Sequence, residues 1–388
     1  MEKQLTPVLR FPEFSDEWEI ELFSKLSDKI SDGIHSTPKY NDKGDFHFIN
    51  GNNLVNGQVT IFENTKRISK EESEKHHRDL NQNTVLLSIN GTIGNLAFYN
   101  DERVILGKSA CYINLKEGLP KYFYYSILQT PKVLNYFNSE LTGSTIKNLS
   151  LSTIKKTKLV VPQIEEQQKI ASFLSSVDKK IELLQQKKRL LEDYKKGTMQ
   201  QIFSRELRFK NKEGVEYPKW EEKRLGELLD YEQPTKYIVK STEYDDSFET
   251  PVLTAGKSFL LGYTDEEENI FSNTPVIIFD DFTMSNQFVN FSFKVKSSAM
   301  KILKPIDAEV NIKFVYESMQ MINYPKGDEH KRFWISEYSR IKIRVPSKEE
   351  QTQIANFLSA LDEKIQLVSS QIEQTQQFKK GLLQQMFV

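Results

Sequence analysis

Two stretches of the chain carry apolar residues in alternating steps of four and three. In the first, Ile170, Val177, Leu184, Leu191 and Thr198 fall seven apart, with Leu174, Ile181, Lys188, Lys195 and Ile202 four residues after each. In the second, the rows are Ile354, Leu361, Val368, Thr375 and Leu382, then Leu358, Ile365, Ile372, Lys379 and Met386. That spacing predicts two long helices, each with a seam that wants a partner along its length. Pro162 and Pro346 mark their beginnings, and Ser347 with Glu350 fits a capping box for the second; Gln163 caps the first less well. A helix of about 39 residues at 1.5 Å per residue is roughly 58 Å long. Elsewhere the pattern changes to short β-branched or aromatic runs, at 84–89, 275–279 and 340–345, which predict strands. Asn56-Gly57, Asn90-Gly91 and Lys326-Gly327 predict turns.

The helical stretches are copies of one another. VPQIEEQQKIASFLSSVDKKIELL begins at Val161 and VPSKEEQTQIANFLSALDEKIQLV at Val345, a register of 184 residues held to Phe203 and Phe387. Of the 43 aligned pairs 20 are identical, which sets the architecture before any other feature does. A weaker echo precedes each globule: Leu9-Arg10-Phe11 with Trp18 and Leu26, then Leu207-Arg208-Phe209 with Trp220 and Leu228. The chain therefore divides into a globular domain at 1–157, a helical spacer at 158–206, a second globular domain at 207–344 and a second spacer at 345–388. The two globules show no convincing similarity in sequence. The expected fold class is α+β: two mixed α/β domains separated by two long helices packed as an antiparallel coiled coil, in a pseudo-two-fold arrangement. Such a frame suits two different heads on one DNA duplex, about one helical turn, ~34 Å, apart.

Composition narrows the classes. With 388 residues, 38% of them hydrophobic, and a mean hydropathy of -0.54, the chain suits modest globules beside solvated helices better than one large core. No apolar run approaches the ~18 residues of a membrane span. Residues 1–10 lack the apolar core of a secretory signal, and the single cysteine, Cys111, gives no disulfide framework and no cysteine zinc site. A soluble cytoplasmic protein is expected. The 53 basic and 54 acidic side chains give a net charge of -1, so any contact with DNA must come from local patches.

Catalytic motifs fare poorly. An adenine methyltransferase needs an Asn/Asp-Pro-Pro-aromatic tetrapeptide to hold the flipped base, and the chain has no Pro-Pro. Gly256-Lys257-Ser258 and Gly107-Lys108-Ser109 supply half a phosphate loop, but Pro251 and Glu102 stand where the first glycine belongs. His76-His77 reads as a solvated helix face and no metal is expected. Asp280-Asp281 follows an apolar run without an acid-x-Lys partner, so a structural or base-reading role fits better than a magnesium site. Two acid-free stretches could supply phosphate ligands together with hydroxyl or amide base readers. One, at 291–305, carries Lys294, Lys296, Lys301 and Lys304 with Ser297 and Ser298; the other, at 143–158, carries Lys147, Lys155, Lys156 and Lys158 with Ser144, Thr145 and Asn148. His330-Lys331-Arg332 adds a third basic run.

On these residues the chain resembles the specificity subunit of type I restriction–modification enzymes. The marks are the doubled Pro-x-x-x-Glu-Gln-x-x-Ile-Ala-x-Phe-Leu at 162–174 and 346–358, and Lys-Lys-Gly followed by Gln-Gln-x-Phe at 195–203 and 379–387. In the first globule Asp32-Gly33-Ile34-His35, 49–54, Gly91-Thr92-Ile93-Gly94 and Gly143-Ser144-Thr145 look like target-recognition patterns; 279–283 and 296–301 look like another subtype. The resemblance implies a non-catalytic reader whose two target-recognition domains each bind half of a bipartite asymmetric site in double-stranded DNA. Two methyltransferase subunits would dock on the helices and restriction subunits would join them. S-adenosylmethionine, ATP and magnesium would then sit on those partners and no cofactor on this chain. Candidate DNA-binding residues are His35, Lys39, Gly91, Thr92, Ser144, Thr145, Lys147 and Asn148 in the first head. In the second they are Asp281, Thr283, Lys294, Lys296, Ser297, Ser298, Lys301, Lys331 and Arg332. Candidate docking residues are Glu166, Gln167, Phe173, Lys195, Lys196, Gln200 and Gln201 on the first helix, and Glu350, Gln351, Phe357, Lys379, Lys380, Gln384 and Gln385 on the second. The alternatives are a coiled-coil adaptor binding protein or sugar through its globules, which the neutral charge favours, and a self-contained DNA methyltransferase, which the missing tetrapeptide disfavours.

Overall fold

The computed structural model describes residues 5–254, 258–323 and 333–388, and the chain divides into two compact units. One comprises Met1–Gln185 with Ser370–Val388, the other Gln186–Ser369. Each unit thus joins a globule to one stretch of each long helix. The helices run Ile164–Ser204 and Lys348–Gln385, close to the lengths that the periodicity predicts. No seam position is exposed: Ile170, Leu174 and Val177 are buried with Leu382 and Met386 in the first unit's core, and Ile202 with Ile354, Leu358 and Leu361 in the second's. Apolar stripes of this width bury themselves because exposing each leucine or isoleucine would cost about 1.5–3 kcal/mol.

Charged seam positions are answered within each unit. In the first, Lys379 Nζ lies 2.8 Å from Asp178 Oδ2, which also accepts from the Tyr122 hydroxyl. In the second, Lys195 Nζ lies 2.6 Å from Asp362 Oδ1, and the fully buried Glu317 stands between Lys313, at 2.7 Å, and Lys195, at 3.3 Å. Burial pushes the Asp362 carboxyl up, but the hydrogen bonds from Lys195 and Lys313 outweigh it and hold the group below its ordinary value.

The first unit's main sheet is antiparallel and takes its strands in the order Ser27–Asp32, Ala110–Leu115, Thr84–Ser88, Leu96–Phe98. The second unit's runs Leu229–Glu232, Met300–Pro305, Val276–Asp280, Asn286–Val289, also antiparallel. In chain order both read first, fourth, second, third. Each unit adds a three-stranded sheet whose middle strand, Phe46–Ile49 or Thr250–Leu253, is antiparallel to one neighbour and parallel to the other. Each also pairs a strand after the lead-in with the strand before its helix, Glu19↔Val161 and Glu221↔Val345. The two globules, which show no convincing similarity in sequence, thus share the strand order of their main sheets, held by apolar runs that differ in identity.

The lead-in segments are clasped alike. Leu9 N donates to Gln385 O at 2.8 Å in the first unit, and Leu207 N to Gln201 O at 3.0 Å in the second. Arg10 grips both carboxylate oxygens of Glu166 at 2.8 and 2.7 Å; Arg208 grips Glu350 at 3.2 and 2.7 Å, and Trp220 Nε1 adds a third bond at 3.0 Å. Bidentate pairs of this kind fix direction as well as distance. The Ser347–Glu350 capping box is corrected here: Glu350 is drawn to Arg208 and Trp220, and Ser347 Oγ is buried without a hydrogen-bond partner among the described residues.

Replacing Glu350 by Ala would leave the half-buried Arg208 guanidinium with only the Tyr217 and Pro218 carbonyls and strand the half-buried Trp220 indole N–H. The expected loss is about 3 kcal/mol of unfolding free energy, read from urea denaturation, and a smaller loss in an R208M background. An E350A chain as stable as the parent would contradict this role.

Candidate nucleic-acid interface

In the first head the recognition patterns meet at one place. The hairpin turn Asn56-Gly57 forms as predicted, with both residues in the left-handed region. The Gly91 turn lies beside the 142–148 loop: Gly91 N donates to Lys147 O at 3.1 Å and Leu149 N to Ile89 O at 2.8 Å, while Asn90 bridges to Asn148. Ser88 Oγ holds the Thr92 carbonyl from below. Gly143 has a φ of +90°, and a Cβ there would lie 2.3 Å from Ile146 O, so this tight turn needs glycine. Gly91, Thr92, Ser144, Thr145 and Lys147 all present exposed side chains or backbone, and Asn148 is half-buried.

His35 and Lys39 stand on the neighbouring loop. Ile34 forms a parallel bridge to Gly107; His35 is exposed, its Nε2 2.8 Å from Asp32 Oδ2. The Lys39 side chain is exposed while its N–H binds Glu72 at 2.9 Å, a bond that leads the causes holding the Glu72 carboxyl down at about 2. The structure thus brings six of these eight candidates onto two bonded loops and sets the other two on a third.

A duplicated tripeptide lies beneath these loops. Ile49-Asn50-Gly51 and Ile89-Asn90-Gly91 repeat one tripeptide, and both copies clamp the turn Gly107-Lys108-Ser109. Gly107 N donates to Ile49 O, and Ile89 N to Ser109 O. Ser109 Oγ binds Asn50 Oδ1 at 2.8 Å and accepts from Gly51 N at 2.9 Å, while Asn90 Nδ2 donates to Lys108 O at 3.2 Å. The duplicated Ile-Asn-Gly was the available signal.

The second head requires corrections. Lys294 and Lys301 are 1% and 2% exposed, so neither offers its charge to a phosphate. Lys294 Nζ binds Glu266 at 2.9 Å and the Glu268 carbonyl at 2.6 Å; Lys301 lies 3.5 Å from Asp281 and 5.4 Å over the Tyr231 ring. Asp281 is buried too and accepts from Trp334 N at 2.9 Å, which removes it as a base reader. Its neighbour Asp280 shapes the turn by accepting from Phe282 N and from the Thr283 hydroxyl. Thr283 and Ser298 are exposed, Lys296 and Ser297 half-buried, and the two segments touch through Asp281 N and Ala299 O. Phe282 projects beside them, 48% exposed. Lys331, Arg332, the Lys326-Gly327 turn and Gly256-Lys257 lie outside the described residues.

The docking candidates divide. Glu166, Gln167, Glu350 and Gln351 are buried; the glutamates hold the lead-in arginines, and the glutamines bind the Pro162 and Pro346 carbonyls. Phe173 packs on Phe11 and Phe357 on Phe209, and Lys195 and Lys379 are taken up in ion pairs. These eight hold the fold together. Lys196, Gln200, Gln201, Lys380, Gln384 and Gln385 are exposed. So are Leu183 and Leu367, at 51% and 60%, and Tyr194 and Phe378, both at 55%; each pair is 184 residues apart and off the seam. Among the described residues no cluster of His, Cys, Asp or Glu could hold a metal, and no helix is long and apolar enough to cross a membrane.

Comparisons with known proteins agree in direction. The type I restriction modification DNA specificity domain matches at residues 16–193 and 217–377. The EcoR124I/EcoR124II specificity subunit of Escherichia coli is 52% identical over 127 residues, a stretch that spans 31% of each chain. The putative MjaX specificity subunit of Methanocaldococcus jannaschii is 24% identical over 400 residues, covering 96% of this chain and 93% of that one. A crystal structure of a type I restriction-modification S subunit from M. genitalium superposes with a TM-score of 0.65 at 18% identity, covering 99% of each chain, and shows the same fold. With the family match spanning both globules and most of both helices, the chain belongs to the type I restriction–modification DNA specificity family.

Proposed function

We propose that this chain is the DNA-reading subunit of a type I restriction–modification complex, each head reading one half of a bipartite asymmetric site. The observation that carries the reading is the gathering of exposed Gly91, Thr92, Ser144, Thr145 and Lys147 on two bonded loops of one head. Hydroxyls and a lysine on turns held from beneath suit base edges and phosphates together. The segments 1–157 and 207–344 would act as target-recognition domains, with 158–206 and 345–388 as spacers. The second head would read through Thr283, Lys296, Ser297 and Ser298.

We also propose that the long helices pair as an antiparallel coiled coil with approximate two-fold symmetry. Asp178–Lys379 and Lys195–Asp362 support it, because both pairs sum to 557, as antiparallel strands of one register require. The repeated exposed pairs Leu183/Leu367 and Tyr194/Phe378 support docking of two copies of one methyltransferase subunit, to which restriction subunits would add. Methyl donor, ATP and magnesium would belong to those partners, with this chain non-catalytic and the complex cytoplasmic.

Mapping methylated bases in DNA from cells that express the chain with its partner subunits tests the reading. A two-part asymmetric motif is expected; absence of any motif dependent on this chain would refute it. Exchanging residues 221–343 for another recognition domain should change one half of that motif, and a change in both halves would end the independent-head reading. Lys296→Glu should weaken binding to all duplexes and flatten the salt dependence by about one phosphate contact, with a stability loss of no more than about 1 kcal/mol from the Tyr244 ring contact. Lys301→Ala should instead destabilise the fold by about 3 kcal/mol in urea, since it leaves Asp281 buried and unpaired. Equal effects of the two substitutions on stability would contradict this division.

A further inference from the structure

The turn Gly107-Lys108-Ser109 is one of the most constrained surface segments of the first head. Its backbone is bonded on one side to Ile49 and on the other to Ile89, and the side chains of Asn50 and Asn90 close on it from both flanks. A Cβ at Gly107 would lie 2.3 Å from Asn50 Oδ1 and 2.9 Å from the Phe48 ring, so the turn is packed against its clamp. Yet the one side chain it lifts out, Lys108, is exposed and makes no hydrogen bond or ion pair among the described residues. What sets this lysine apart is the backbone beneath it, fixed on both flanks. Two apolar-anchored asparagine clamps spent on holding a single lysine outward point to positioning.

The neighbours say what for. The bond from Asn90 ties Lys108 to the loop that carries Thr92 and lies against Ser144–Lys147, and the Ile34–Gly107 bridge ties it to the loop that carries His35. The turn that carries Lys108 is therefore bonded to both of the loops that the recognition patterns mark. A lysine on a reading surface can reach the O6 and N7 acceptors of guanine in the major groove. A lysine that only neutralises phosphate needs no such fixed backbone.

We propose that Lys108 is a specificity-determining residue that contacts a base edge, a guanine acceptor pair, in the half-site bound by the first head. This rests on reading that head as a DNA-binding surface. The test uses the full chain with its partner subunits and compares parent, K108Q and K108R by mapping methylated sites genome-wide, with binding to random-sequence duplexes measured across a salt series. With K108Q, discrimination at a single position of the first half-site should fall roughly tenfold, the second half-site should stay unchanged, and K108R should retain most of the preference. The melting profile should match the parent, since the side chain is exposed and unpartnered. An unchanged motif, a change confined to the second half-site, or a uniform loss of affinity with a reduced salt slope would each overturn the proposal while leaving the DNA-reading role standing. A parent chain that yields no motif at all would instead remove that role, and the proposal with it.

Discussion

Within each compact unit one ion pair joins the two long helices and fixes their local register. Asp178 meets Lys379 and Lys195 meets Asp362, and the 184-residue repeat converts one pair into the other. An acid and a base at fixed places in a duplicated sequence are self-complementary in the antiparallel sense only: the parallel sense would set Asp178 against Asp362 and Lys195 against Lys379. The apolar seams alone would tolerate a slip of one heptad. A slip would part both pairs, whose side chains are 14–39% exposed, at a cost of about 1 kcal/mol for each pair. Polar seam positions trade stability for a single register.

In each unit the head presents its own complement to that ion pair. The first supplies the neutral Tyr122 hydroxyl to Asp178; the second supplies Lys313 and Glu317 together, which add no net charge to the Lys195–Asp362 pair. Desolvation lifts the Tyr122 phenol above its ordinary value and Asp178 adds to it, which keeps that group protonated and able to donate. Likewise the lead-in arginines differ in surroundings but share a bidentate grip on an equivalent glutamate. Equivalent helix stretches can thus each carry a head of different sequence, because they ask of it only a few contacts and a common strand order.

The two long helices were legible in the sequence because their signals are periodic and duplicated. Seam positions such as Ile170 and Leu358 are buried where the heptads put them. The heads were less legible. Their shared strand order rests on apolar runs such as 84–88 and 276–280 that keep character without keeping identity, and on long-range pairings that no local pattern records. For the site, hydroxyls and glycines at 91–92 and 143–145 were readable because tight turns demand specific residues. Lysine was not. Lys147 and Lys301 look alike in sequence, and only the position of Asp281 behind one of them decides that it is structural. Glu166 and Glu350 misled for the same reason, being repeated because they hold the fold at two places.

The most direct measurement is intrachain cross-linking with a short bis-maleimide, for which the buried Cys111 leaves a clean background. Cysteines at positions 178 and 379, and separately at 195 and 362, should link within one chain. A pair at 178 and 362 should not, since antiparallel pairing sets 362 opposite 195, 17 residues and about 26 Å further along the helix. Efficient linkage of 178 to 362, with none between 178 and 379, would contradict the antiparallel frame outright.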